Sequence, residues 1–260
     1  MAKRTDQPVD GVCNIYMDSW RDFVDFIQND FVDYRNYIYR GHKKDEWPLL
    51  ASLDRLNSEQ TQNNRDVVLH KFKSASRGRR GLSPKDITDD EWWALGQHHG
   101  LKTPLLDWTE SPFIASFFAF EKKKSKDELP NNRVVFALEI NRTLVKGHEF
   151  FEAGLEDGSK HGHQLQIINP NVDDNTRLVS QRGLFTKLGQ IDLDIEEWVS
   201  HWFAKYEKVV LIKMHITENT GDRIAFLRYL NRMNVNHLSL FPDLEGAAKY
   251  CNMEIEIDKY

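Results

Sequence analysis

An α+β fold in one compact domain is what this sequence predicts, and three observations carry that reading. Apolar residues recur at helical spacing early in the chain, as in Trp20, Phe23, Val24, Phe26, Ile27 and Phe31. Later runs rich in β-branched and aromatic residues, Arg133 to Ile140 and Lys208 to Ile216, read as strands among further helical stretches. No internal repeat or low-complexity linker divides the 260 residues. Helices concentrated in the N-terminal half and mixed strands after them are therefore expected to share one core. Residues 1–14 are expected as an N-terminal tail and residues 15–260 as the domain.

Asp18 or Ser19 is placed to cap a first helix, Ser19 to Phe31. Tyr37-Ile38-Tyr39-Arg40-Gly41 is a short strand ending at glycine. A helix from around Glu59 to Ser76 would bury Val67, Val68, Leu69 and Phe72, and Ser83-Pro84 would open the next, with Ile87, Trp92, Trp93 and Leu95. Ser111-Pro112 starts a helix through Phe120, with proline in the tolerated first turn. Leu129 to Asn132 supplies a turn before the strand at Arg133, and the glycine- and charge-rich Glu149 to His163 reads as a loop. Gln164 to Ile168 and Arg177 to Thr186 are shorter strands, and Ile195 to Tyr206 has helical spacing. After the strand at Lys208 to Ile216, helices are expected at about Gly221 to Asn231 and Asp243 to Tyr250. Phe241-Pro242-Asp243-Leu244 would make a strand-to-helix connection with Asp243 as cap.

With 40% hydrophobic residues the chain is globular and not disordered. Its longest apolar stretches, such as Phe113 to Phe120, are too short to span a bilayer, so no membrane partner is expected. The start, Met1 to Gln7, lacks the apolar segment of a secretory signal, and Cys13 and Cys251 form neither a disulfide framework nor a zinc spacing. A cytoplasmic address is expected. The net charge of −5 argues against bulk nucleic-acid binding. Even so, Lys71, Lys73, Arg77, Arg79, Arg80 and Lys85 lie between His70 and Asp86 with no acid among them. Lys73, Arg77, Arg79 and Arg80 are the nucleic-acid candidates, the alternative being a solvated helix end and loop. Lys122, Lys123, Lys124 and Lys126 read as a helix C-terminus whose cations complement the helix dipole.

The densest polar chemistry runs from Gln97 to Pro112: Gln97-His98-His99-Gly100-Leu101, Thr103, then Leu105-Leu106-Asp107-Trp108-Thr109-Glu110-Ser111. Such a run between a turn and an apolar helix reads as a pocket wall. Each residue also has a structural alternative. Asp107 can cap the following helix or tie down the His-His-Gly turn, Trp108 can be core, and Arg40 can bridge a carboxylate such as Asp107. His98 and His99 would face opposite ways on a strand, so only one can enter a pocket. His161-Gly162-His163 and His98-His99 offer no closed ligand set, and no metal is expected.

Three separated motifs resemble the FRG domain family: Tyr39-Arg40-Gly41, the run from Gln97 to Pro112 leading into Ala115 and Phe118-Ala119, and Arg177 with Gln181, Gly183, Leu184 and Phe185, followed downstream by Leu240 to Gly246. The resemblance extends over roughly Ile15 to Tyr250, with Pro104 standing where many relatives carry arginine. The family's layout is in turn similar to that of ADP-ribosyltransferases, Arg40 matching their first-strand arginine, Thr109 with Ser111 the second motif and Gln181 the third.

That resemblance implies a split mixed sheet and an NAD-dependent ADP-ribosyltransferase, a bacterial toxin or antiviral defence effector using NAD as co-substrate. Tyr39, Arg40, Gly41, Trp108, Thr109, Ser111 and Phe185 would hold NAD, and Arg40, Asp107, Gln181 and His99 would serve catalysis. Breaking the nicotinamide–ribose bond develops positive charge on the ribose, which a carboxylate or an oriented amide can stabilise. Gln181 can accept a hydrogen bond but not a proton, so the base falls to Asp107, Glu110, His98 or His99. The acceptor would be a macromolecule, nucleic acid (RNA included) or protein, and a toxic chain would have a neutralising partner. The alternatives are a non-catalytic FRG module binding a nucleotide or nucleic acid, and an interaction subunit presenting Trp92-Trp93 to a partner.

Overall fold

A computed structural model describes residues 4–56, 65–79, 86–125, 131–143, 165–170, 176–189, 193–204 and 208–260. Strands β1 (Arg4–Thr5) and β2 (Val12–Met17) precede helix α1 (Trp20–Phe26), which continues as a π-turn at Ile27–Phe31 and leads to β3 (Tyr37–His42). A 3-10 turn at Asp54–Leu56, α2 (Arg65–Ala75), α3 (Asp89–His98), β4 (Leu105–Thr109) and α4 (Pro112–Phe120) follow. Next come β5 (Asn131–Glu139), β6 (Leu165–Ile168), α5 (Thr176–Ser180), β7 (Gly183–Leu188), α6 (Ile195–Phe203) and β8 (Leu211–Glu218). Helices α7 (Asp222–Arg232), α8 (His237–Leu240) and α9 (Leu244–Glu256) close the chain.

The described strands form one mixed sheet in the order β1-β2-β8-β5-β3-β4-β7-β6. Only β2 and β8 pair in parallel among them. The α+β expectation therefore holds, with two differences of detail. Residues 4–14, expected as a tail, supply β1 and the start of β2, whose Val12 and Cys13 are buried against α6 and α1. The described helices are not concentrated early: α5 to α9 follow β5, because residues after Glu218 form three helices in succession.

Local chemistry sets most boundaries. Ser19 accepts from the Asp22 amide at 3.3 Å, Ser111 from Ile114 at 3.3 Å and Asp243 from Gly246 at 2.9 Å, satisfying amides that a helix start leaves open. Helix α3 starts from a reciprocal capping box between Thr88 and Glu91, later than expected; Ser83-Pro84 lies outside the described residues, as does the loop at Glu149 to His163. The stretch Arg177 to Thr186 is not one strand. It is α5, a turn with Arg182 at φ +46°, and then β7. Phe241 to Leu244 joins two helices, the short α8 having gone unread. In α2, Leu69 is buried while Val67 is exposed.

Three apolar cores form. One face of the sheet carries α1, α4, α7 and α9 around Phe23, Phe117, Phe120 and Phe226; the opposite face carries α6 around Trp198, Phe136 and Leu138. A third core, Leu53, Leu69, Trp93, Leu105 and Phe185, lies under α2 and α3. Helix α4 is anchored at its C-terminus by two buried arginines. Arg133 donates to the carbonyls of Ala119 and Lys122, and Arg223 to those of Phe120 and Glu121, at 3.0 and 2.6 Å for Arg223. Lys124, expected on a solvated helix end, is instead buried 3.9 Å from Glu218 and donates to the Asn132 carbonyl.

Candidate functional site

Strands β3 and β4 pair at one register position, Tyr39 opposite Thr109, and then part. Elsewhere each strand is fully laddered to its other neighbour, β3 to β5 and β4 to β7. The wedge between them opens a cleft of about 300 Å³ lined by Tyr39, Arg40, Gly41, Asp107, Trp108, Thr109, Ala115, Phe118, Gln181 and Phe241. That volume sits at the low end of the range for small-molecule sites. Side-chain parity explains the opening. Leu105, Asp107 and Thr109 share one face of β4, with Phe185 opposite Asp107 on β7. The core under α3 ends at Leu105 and Phe185, and the core under α4 ends at Tyr39, so Asp107 stands exposed between the two.

Arg40 spans the wedge. Its Nη1 donates to the main-chain carbonyl of Asp107 at 2.5 Å, a carbonyl that a continued β3–β4 ladder would otherwise have satisfied. The same Nη1 is 3.7 Å from the Asp107 carboxylate, and Nε donates to Nε2 of His42 at 2.8 Å. Nη2 has no hydrogen-bond partner among the described residues. Burial pulls the Arg40 pKa down and Asp107 opposes that shift; the guanidinium remains a cation.

His42 was not singled out in the sequence, although its spacing of two from Arg40 puts both on one side of β3. Burial and the charge of Arg40 bring its pKa down to about 3, against the pull of the Trp47 carbonyl 3.3 Å from Nδ1. The ring is neutral, with Nδ1–H donating to Trp47 and the Nε2 lone pair receiving Arg40.

Gly41 faces α4. A Cβ built there would lie 1.8 Å from the Ala115 carbonyl oxygen, so the glycine admits helix backbone, not a ligand. Gly246 plays the same part at the far wall, where a Cβ would meet the Phe241 carbonyl at 1.9 Å. Phe241 is held from several sides: Arg177 and Lys249 lie 5.4 and 5.0 Å from its ring centroid, His237 stacks at 5.9 Å and Phe118 meets it edge-on. Arg177 also pairs with Asp243 at 2.6 Å and Glu245 at 2.7 Å, tying α5 to the start of α9. Gln181 completes the rim, its Nε2 donating to Leu240 O at 3.2 Å while its carbonyl accepts from Thr109 Oγ1 at 2.7 Å.

Several expected site residues have other tasks. Trp108 is on the α6 face of β4, buried, with its indole N–H donated to Thr186 at 2.8 Å; only its edge of the strand borders the cleft and its ring offers no stacking platform. Phe185 is buried in the core under α3. Ser111 caps α4, and Thr109 fastens β4 to the Gln181 loop. His99 is exposed where α3 ends and is not among the residues lining the cleft. There the His-His-Gly turn is a helix stop: Gly100 has φ +86° and the Leu101 amide reaches back to Gly96 O at 2.8 Å. Pro104 is buried away from the cleft. Asp107 accepts from Gln97 Nε2 at 2.6 Å, tying the strand to that turn, and Gln97 in turn receives the Thr103 hydroxyl.

Among the nucleic-acid candidates, Lys73 pairs with Asp89, Arg77 and Arg79 are exposed past the end of α2, and Arg80 and Lys85 lie outside the described residues. Among the described residues no helix is long and apolar enough to cross a membrane, and no group of three or more His, Cys, Asp or Glu is placed to hold a metal ion.

No curated protein and no solved structure matches the chain. The family model of the FRG domain matches residues 35–128, the span that contains β3, β4, α4 and eight of the ten cleft-lining residues. Through that segment, the chain belongs to the FRG domain family.

Proposed function

We propose that the cleft binds NAD and that the protein transfers its ADP-ribosyl group to a macromolecular acceptor, nucleic acid or protein, as a toxin or defence effector. The observation that carries this reading is Arg40: a guanidinium fixed by His42 and Asp107 O, bordering an aromatic-walled cleft with Nη2 uncommitted among the described residues. A planar fork so held suits phosphate or ribose oxygens.

The lining fits one end of a dinucleotide, a flat ring with its ribose, better than the whole molecule. Phe118 and Phe241 supply faces and edges for a planar ring, a part first given to Trp108 and Phe185. Gln181 has its Nε2 engaged by Leu240, which leaves Oε1 to accept from a ribose hydroxyl. Asp107 is the one carboxylate among the lining residues, and at 63% side-chain exposure it is open to an acceptor from outside. NAD supplies a ribosyl carbon already bonded to a cationic leaving group. As nicotinamide departs with the electrons of that bond, the acceptor's nucleophile bonds to the same carbon and Asp107 takes its proton.

Incubating the protein with adenylate-labelled NAD and total RNA, DNA or lysate protein tests the reading. Label is expected in one macromolecular fraction, in step with nicotinamide release, and absent with Arg40→Ala. Nicotinamide release with no labelled fraction would identify a glycohydrolase instead. NAD bound but never cleaved would leave a nucleotide-binding module.

A further inference from the structure

The wedge between β3 and β4 is closed at one end by the Tyr39–Thr109 pair and at the other by residues 43–56. This segment leaves β3 at His42 and gives its Trp47 carbonyl to His42. It buries Leu49 and Leu53 in two different cores. It then docks on the start of β4, where Leu53 N donates to Thr103 O at 3.0 Å and Thr103 N to Ser52 Oγ at 3.1 Å. The 3-10 turn Asp54–Leu56 thus sits at the mouth of the cleft on a firmly seated support.

Arg55 is exposed on that turn, and its guanidinium has no hydrogen-bond or ion-pair partner among the described residues. Its neighbours differ: Asp54 is engaged at 2.8 Å by Arg65, whose other arm reaches Leu188 O, so the nearest carboxylate is already neutralised. The positive field of Arg55 reaches both Arg40 and His42, adding to the effects of burial and of their nearer partners in holding each below its ordinary pKa. Two guanidinium groups therefore face one opening. The counter-charge there is Asp107, which Gln97 draws toward the end of α3. An exposed arginine kept near a second one raises the energy of the empty site, and a dianionic group between them would relieve it.

We propose that Arg55 and Arg40 form an anion subsite at the cleft mouth that takes the phosphate or pyrophosphate of a nucleotide ligand. The assignment to a nucleotide rests on the NAD reading above; the anion subsite itself does not. Arg40, rigid and braced, orients the anion, and Arg55 on the exposed turn adds charge and closes over it.

Calorimetric titration of the full chain with inorganic pyrophosphate, ADP-ribose and adenosine tests this. Arg55→Gln is expected to weaken pyrophosphate and ADP-ribose by about tenfold, as for loss of a charge-assisted contact, and to flatten their salt dependence. Adenosine affinity stays unchanged, and Arg55→Lys recovers part of the loss. Arg55 is exposed, so thermal melting of the variant should match the parent, which separates loss of a contact from loss of fold. Equal pyrophosphate affinity in parent and Arg55→Gln, or no pyrophosphate binding by the parent, overturns the subsite. Arg55-dependent pyrophosphate binding with no binding of ADP-ribose or NAD keeps the subsite and removes the NAD reading.

Discussion

Arg40 donates through Nη1 to the main-chain carbonyl of Asp107, across the point where β3 and β4 cease to pair. A side chain thereby completes a hydrogen-bond ladder that the backbone leaves open, and the same side chain borders the cleft this opening creates. Structural and binding tasks fall on one residue, and substitutions there should report on both.

Arg40→Ala removes donors from Asp107 O and His42 Nε2 together. Leaving such buried acceptors unmet is expected to cost about 2 kcal/mol of stability, read as a lower urea midpoint with unchanged slope. Arg40→Lys can reach one acceptor but lacks the fork, so it should recover only part of that stability and little ligand affinity.

His42 makes stability depend on acid. Its native pKa of about 3 lies below the ordinary histidine value, so between those values the unfolded chain binds more protons than the native one. Its stabilising contribution is complete above about pH 6.5 and falls, by up to about 1.4 kcal/mol per pH unit, as the pH drops toward 3. Denaturation curves across that window should be flatter in His42→Gln than in the parent. Parallel curves would mean that the ring is already protonated in the fold.

Gly41→Ala forces a methyl into the Ala115 carbonyl, 1.8 Å away by construction. Both atoms belong to packed backbone, so β3 and α4 must separate. A loss of about 3 kcal/mol is expected, measurable as a lower thermal midpoint. Arg133 and Arg223 hold the other end of α4 and limit its ability to move aside.

Arg177→Ala should do the opposite, sparing stability while loosening the site. Its pairs with Asp243 and Glu245 are solvent-exposed and contribute little to folding. They do fix Phe241 and the Gln181 loop against each other. A thermal midpoint near that of the parent, with severalfold weaker ligand binding, is the expected pair of results.

Elements fixed by neighbours in sequence were legible from sequence. Ser19, Ser111-Pro112 and Asp243 start helices as read, since a cap needs only the next three residues. The long strands β5 and β8 were equally plain. What failed depended on which face of an element the rest of the chain covers. Trp108 and Asp107 are adjacent, yet one is core and the other rim, and only the positions of α6 and α3 decide which. Lys124 became buried because Glu218, far along the chain, lies beneath it. His99 looked chemical because the glycine after it was read as part of a pocket and not as a helix stop. His42 carried a usable signal, a strand spacing of two from Arg40; Arg55 carried none, since its nearness to Arg40 arises from the return of residues 43–56 to β4.

The most direct test of the account is the affinity of the intact protein for NAD, measured by calorimetry in the parent and in Arg40→Gln, with circular dichroism to confirm that the variant stays folded. The account predicts saturable one-to-one binding by the parent and its loss in the folded variant. Failure of the parent to bind NAD, or equal affinity in the two proteins, would contradict it.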